Sequence, residues 1–170
     1  MEKTINVEIV TVPPLRVLAV RTSTSSDKGG TRAAWRKLTE AIPQDDSRWS
    51  DTGTGYVMIP QREWGTKVES LWVGLRVLEA GAVPEGIELL ELPESLCAKL
   101  RVYGDEAHMN EVYGAMFGWL RTNGEYELDP DAYGVEANRL EPVNPFTIPY
   151  ESVSVFDFDM LYPIRKRSAK

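Results

Sequence analysis

The sequence predicts an α+β fold in which two pseudo-symmetric β-α-β-β repeats build one curved antiparallel sheet. Its helices lie on one face, and a ligand groove runs between the repeats. Three observations predict this. Val7-Glu8-Ile9-Val10-Thr11-Val12-Pro13 is answered by Ile87-Glu88-Leu89-Leu90-Glu91-Leu92-Pro93, and Arg21 and Arg101 keep the same offset of 80 residues. A fixed internal offset marks one supersecondary unit used twice. Each half then carries several extended segments but only one helical one, which calls for antiparallel pairing and leaves one sheet face uncovered. Finally, 170 residues suffice for one domain, 1–170, with repeats at about 5–80 and 85–165 sharing a core.

The elements follow in order. Asn6 to Val12 alternates as a strand, Pro13-Pro14 breaks it, and valine-rich Leu15 to Arg21 resumes an extended pattern. Ser23 to Gly30 is a polar loop. A helix opens at about Thr31, with Ala34, Trp35, Leu38 and Ile42 at helical spacing. Pro43 to Gly55 reads as a polar connection in which Asp45-Asp46 is solvated. Tyr56 to Ile59 is a short strand stopped by Pro60, and Ser70 to Glu79 a longer one that ends in the turn-rich stretch Ala80 to Gly86.

The second half repeats that order. Ile87 to Leu92 and Ser95 to Tyr103 are extended on either side of Pro93. Asp105 is an N-cap for a helix to about Arg121, with Val112, Met116, Trp119 and Leu120 as its apolar stripe, and Asn123-Gly124 stops it. Ala132 to Leu140 and Val153 to Ile164 are the last strands, and the proline-rich stretch from Glu141 to Tyr150 is a loop. In the final strand Phe158, Met160, Tyr162 and Ile164 share the phase that belongs under the helices. Val155, Asp157, Asp159 and Leu161 face water or a wet cleft.

Composition narrows the function. With 42% hydrophobic and 26% charged residues the chain is an ordinary globular one, and no apolar run reaches membrane-spanning length. A cytoplasmic protein without membrane attachment is expected. The net charge of −7 opposes direct nucleic-acid binding, and the tail Arg165-Lys166-Arg167 reads as a solvated terminus. One cysteine, Cys97, and one histidine, His108, leave no intrachain disulfide, no thiolate metal cluster and no histidine-rich metal site, and no metal is expected. Cys97 reads as a small buried hydrophobe and His108 as a helix-boundary residue. Glycine-rich phosphate loops, nucleophile elbows and zinc-protease helices are absent, so no cofactor is expected.

The residue that stands out is Glu136, at the centre of a short strand with Gly134 and Asn138 in the same phase. A carboxylate there is either on a bare face or in a cleft. At an offset of 80 its counterpart is Tyr56, and an aromatic ring paired with a carboxylate suits an organic cation. Trp72, in phase with Gly74 and Arg76, is either a cleft wall or the cover of a sheet edge. Trp35 and Trp119 lie on helix stripes and read as core. Tyr113 lies off the stripe of its helix, within reach of a groove edge or of nothing.

Taken together these residues resemble the GyrI-like domain, the bacterial transcription-activator effector-binding domain. The resemblance runs from Val7–Arg21 and the helix with Trp35 through Trp72–Glu79 and Val83-Pro84-Glu85-Gly86-Ile87. It continues through Leu92-Pro93, Val102-Tyr103-Gly104, Trp119-Leu120 and Glu136 to Asp157–Ile164. It implies two β-α-β-β units with a ligand groove between them, in which an acidic residue of a late strand meets cationic or aromatic compounds. Glu136 matches that residue. Members often carry a tyrosine two residues later, where this chain has Asn138. The expectation is a stand-alone binding protein for an aromatic or amphipathic compound, cations included. Glu136 would anchor the ligand, Tyr56, Trp72 and Met58 would form a stacking wall, and Asn138 and Tyr113 would stand at the edge. The resemblance also carries two alternatives. One is hydrolysis of reactive cyclopropane-bearing genotoxins through Glu136, with Tyr113 or Tyr126 as hydrogen-bond donor. The other is binding of a protein partner, as by the gyrase inhibitor.

Overall fold

The fold is described from a computed structural model over residues 6–23, 29–43, 45–65, 70–79, 81–141, 143–149 and 152–167. The chain forms β1 (Glu8–Val12), β2 (Leu15–Ser23), α1 (Gly29–Ala41), β3 (Thr54–Pro60), β4 (Ser70–Arg76) and β5 (Glu88–Leu92). It continues with β6 (Ser95–Gly104), α2 (Glu106–Thr122), β7 (Tyr126–Leu128), β8 (Tyr133–Arg139) and β9 (Phe156–Lys166). Most of the polar loop expected before α1 lies outside the described residues. The short β7 and a 3-10 turn over Gln61–Gly65 were not legible as elements.

Eight strands pair antiparallel in the order β1-β6-β9-β8-β3-β4-β2-β5 and curl into a half-barrel, while β7 pairs with the end of β9. The proline breaks do more than interrupt strands. After Pro13-Pro14 the chain leaves β1 on the edge of the second half, against β6, and starts β2 in the first. After Pro93 it leaves β5 on the edge of the first half, against β2. The two repeats thus exchange their first strands. Gly81 and Gly86, with φ of 61° and 81°, take the left-handed conformations that the turn before β5 requires.

The helices cover one face. Beneath α1, Ala34, Trp35, Leu38 and Ile42 close over Leu18, Val20, Val73 and Leu75. Beneath α2, Met109, Val112, Met116 and Leu120 close over the phase that carries Phe158, Met160 and Tyr162. The apolar phase of the last strand therefore lies where its alternation places it. Trp119 is only half-buried at the margin of this cluster. Asp105 caps α2 by accepting from the His108 amide at 2.9 Å. The Asn123 side chain closes the other end, donating to the Trp119 carbonyl and accepting from the Tyr126 amide, with Asn123 itself in an extended conformation.

Several connections do more than their polarity announces. Trp49, in the stretch read as a polar connection, is buried. Its ring meets Trp35 edge-on and its indole N–H donates to the Ile42 carbonyl at 3.0 Å. Asp46 is not merely solvated, since it accepts from the Arg48 amide and guanidinium, which hold its carboxyl down at about 2. Phe146, in the proline-rich loop, stacks on Trp35 at 5.0 Å, so the second half supplies part of the first core. The basic tail is tied down too. Arg165 pairs with Glu127, and Arg167 donates to the Leu120 and Asn123 carbonyls at the end of α2. Among the described residues no helix is long and apolar enough to cross a membrane.

Candidate functional site

Ladder register decides which face each candidate occupies, because residues directly opposite one another project to the same side. Glu136 sits opposite Val57 on one side and Met160 on the other, and both belong to the helix-covered cores. The helix face therefore receives Glu136. Tyr56 pairs with Ala137 and Gly74, and Met58 with Val135 and Trp72, which puts all three stacking-wall candidates on the opposite face. The sheet itself stands between Glu136 and the expected stacking wall of Tyr56, Met58 and Trp72.

The offset of 80 misled here for a definite reason. Val20 pairs with Val73, which pairs with Val57; Leu100 pairs with Met160, which pairs with Glu136. Val20 and Leu100 keep the offset of 80, so the structural counterpart of Glu136 is Val57. The link from helix to strand differs in length between the halves, and a shift of one residue exchanges the faces of a strand.

On the helix face Glu136 is 9% exposed and forms the floor of a groove of about 310 Å³ lined also by Ile59, Tyr113, Phe117 and Tyr162. Two phenols donate to its Oε2: Tyr162 at 2.8 Å from the adjacent strand, and Tyr113 from α2. Burial, and then the neighbouring Glu136 carboxylate, push the Tyr162 phenol well above its ordinary value near 10. The Tyr162 hydroxyl therefore stays protonated, and both hydroxyls point at one oxygen. Tyr113 and Phe117, one helical turn apart, stand with ring planes at 10° to each other. Asn138 lies one pleat along the same face, buried, with its amide donating to the Glu136 carbonyl at 3.2 Å.

Of the six candidates, Glu136, Asn138 and Tyr113 thus share the helix face, and only Glu136 and Tyr113 line the groove. Tyr126, the alternative donor, lies in β7 against the second core and away from the groove lining. Phe117, Ile59 and Tyr162 complete the groove without having been singled out. Tyr162 lies two residues beyond the cross-strand partner of Glu136 and in the same phase, a pairing that only the sheet register reveals. Tyr56 is 9% exposed, and burial raises its phenol above the ordinary value. Trp72 donates to Glu88 at 2.7 Å and meets the Tyr133 ring edge-on at 5.5 Å. Cys97 is buried and its thiol is pushed up to about 12, while His108 packs over Gly104 at the start of α2. Among the described residues no three His, Cys, Asp or Glu side chains converge as metal ligands would.

A family model for the GyrI-like small molecule binding domain matches residues 5–139, which include α2, Tyr113 and Glu136. The chain belongs to the GyrI-like family. None of the curated protein sequences matches it significantly. Among solved structures, the GyrI-like fold seen here is similar to the EcmrR C-terminal domain, with a TM-score of 0.68 at 14% identity over 97% of this chain and 100% of that one. It is also similar to SAV2435 bound to tetraphenylphosphonium, with a TM-score of 0.59 at 9% identity over 94% of both chains. A hydrolase of Listeria innocua encoded by lin2189 aligns with a TM-score of 0.54 at 13% identity, over 94% of this chain and 91% of that one. At these identities the likeness is one of fold.

Proposed function

We propose that this GyrI-like domain binds an aromatic or amphipathic organic cation in the helix-face groove, with Glu136 as the counter-charge. One observation carries the reading. A carboxylate nine-tenths buried sits on the floor of an aromatic-lined groove, oriented by two phenol donors. An ionised group so placed is costly unless hydrogen-bonded, and both phenols supply that support while the charge still attracts a cation. The rings of Tyr113 and Phe117 offer π faces to the same guest. The groove volume lies at the lower end for small-molecule sites. That SAV2435 was solved with tetraphenylphosphonium supports the same ligand class here.

Calorimetric titration with tetraphenylphosphonium tests this. Glu136→Gln keeps a hydrogen-bond acceptor for both phenols but removes the charge, so affinity should fall by about tenfold or more. Unchanged affinity would remove Glu136 from the site.

The phenol pair favours a second reading, hydrolysis of a strained cyclopropane-bearing electrophile. Glu136 would take a proton from water as its oxygen attacks the ring carbon, and a phenol would protonate the oxygen that receives the electrons of the broken C–C bond. Turnover abolished in Glu136→Gln while binding survives would select this reading over simple binding.

A further inference from the structure

The face of the sheet opposite the helices carries a separate cavity of about 440 Å³, beneath the ends of the two exchanged strands. Its apolar wall comes from Val12, Leu15, Leu92, Val135 and Leu161, with Tyr133 at the side. We propose that this cavity is a second binding site, for a small organic cation with a flat apolar body of about two fused rings, a size the volume range of ligand sites admits.

Three observations carry the proposal. The first is the broken symmetry of this face. The pseudo-two-fold that exchanges Val57 with Glu136 and Val73 with Met160 also exchanges Tyr56 with Val135 and Arg76 with Pro163. On the first-half side the Tyr56 ring and the Arg76 side chain stand at a smaller cavity of about 290 Å³, shared with Arg139 and Asp159. On the second-half side Val135 and Pro163 leave the same position open and apolar.

The second is the fixed wall. Gln61, 3% exposed, donates from Nε2 to the Asp129 carbonyl at 2.8 Å and to the Pro163 carbonyl at 2.9 Å, tying together two residues that line the cavity. A wall held in this way needs little ordering on binding, which limits the entropic cost.

The third is charge. Glu91, Glu94, Asp129 and Asp131 stand around the mouth, and among the described residues lining it there is no lysine, arginine or histidine. Glu91 and Asp131 are paired outward, with Arg16 and Arg62, between exposed side chains where screening is strong. Glu94 and Asp129 leave the rim negative. An apolar interior with a negative rim selects a guest that buries rings and keeps an ammonium at the mouth.

The test is a titration of the full chain, with Ile, Leu and Val methyl groups labelled for NMR, using 1-naphthylmethylammonium as probe. Saturable shifts are expected at Val135, Leu161 and Leu92, and they should persist in Glu136→Gln, which separates this cavity from the groove. Val135→Phe fills the position as Tyr56 fills its twin and should abolish these shifts, while a far-ultraviolet circular dichroism spectrum like that of the native chain reports an intact fold. Glu94→Lys should weaken the probe at least about fivefold, and uncharged 1-naphthylmethanol should bind the native chain more weakly by a similar factor. Shifts confined to Ile59, or none at millimolar probe, would overturn the site. Equal affinity for the neutral alcohol would overturn the assignment of a cation.

Discussion

Glu136 gains its character from one cross-strand neighbour and one helix. A glutamate mid-strand is ordinarily an exposed residue, yet Met160 opposite it and Tyr113 above it place it nine-tenths buried and hydrogen-bonded. The strand pattern left it either on a bare face or in a cleft, and its burial beside Met160 and Tyr113 decides between the two. Its partner Tyr162 was hidden by belonging to an apolar stripe, where an aromatic residue reads as core. Tyr162 yields a prediction at this scale. Its folded-state pKa is raised above the unfolded value near 10, so its contribution to stability is fully present below that value. It is lost as pH rises through the folded value. In an alkaline titration followed by tyrosinate absorbance, one phenol should therefore ionise only together with loss of the native circular dichroism. In Tyr162→Phe that late step should vanish, and its persistence would assign the late titration to another tyrosine.

At the scale of elements, the helices, their caps and most strands follow from periodicity and punctuation. Leu38 and Ile42 beneath α1, Asp105 at the start of α2 and the phase of β9 all lie where the pattern puts them. Face assignment across the repeats did not follow, because an offset read from β1 and β5 holds for β2 and β6 but changes parity before β3 and β8. Period two turns such a change into an inversion of the face, which is why Tyr56 and Glu136 parted. Trp49 and Phe146 were missed because both sit among prolines and polar residues, where local composition says nothing of a distant core. Gly74 shows how tightly the opposite face is built. A Cβ there would lie 2.4 Å from Val17 Cγ1 and 2.9 Å from Ala19 Cβ. Gly74→Ala should destabilise by about 1–3 kcal/mol through overpacking, measured by urea unfolding. A midpoint equal to that of the native chain would show that β2 can yield.

At the scale of the molecule, the exchange of β1 and β5 makes the two halves depend on each other. Each half lends its first strand to the edge of the other, and Phe146 adds a second-half ring to the first core. Fragments 1–82 and 83–170 should therefore stay largely unfolded alone and regain native circular dichroism when mixed. A cooperative thermal transition in either isolated fragment would contradict that dependence. The same curled sheet gives the molecule two chemically different faces, a helix face with Glu136 between aromatic rings and an opposite face with apolar walls. The helix face is the proposed seat of the ligand of this GyrI-like domain. Intermolecular NOEs from the phenyl protons of bound tetraphenylphosphonium test it most directly, since Ile59 lines the Glu136 groove and Val135 lies across the sheet. Strong NOEs to the Ile59 methyls are expected. NOEs confined to Val135 and Leu161, with none to Ile59, would contradict it.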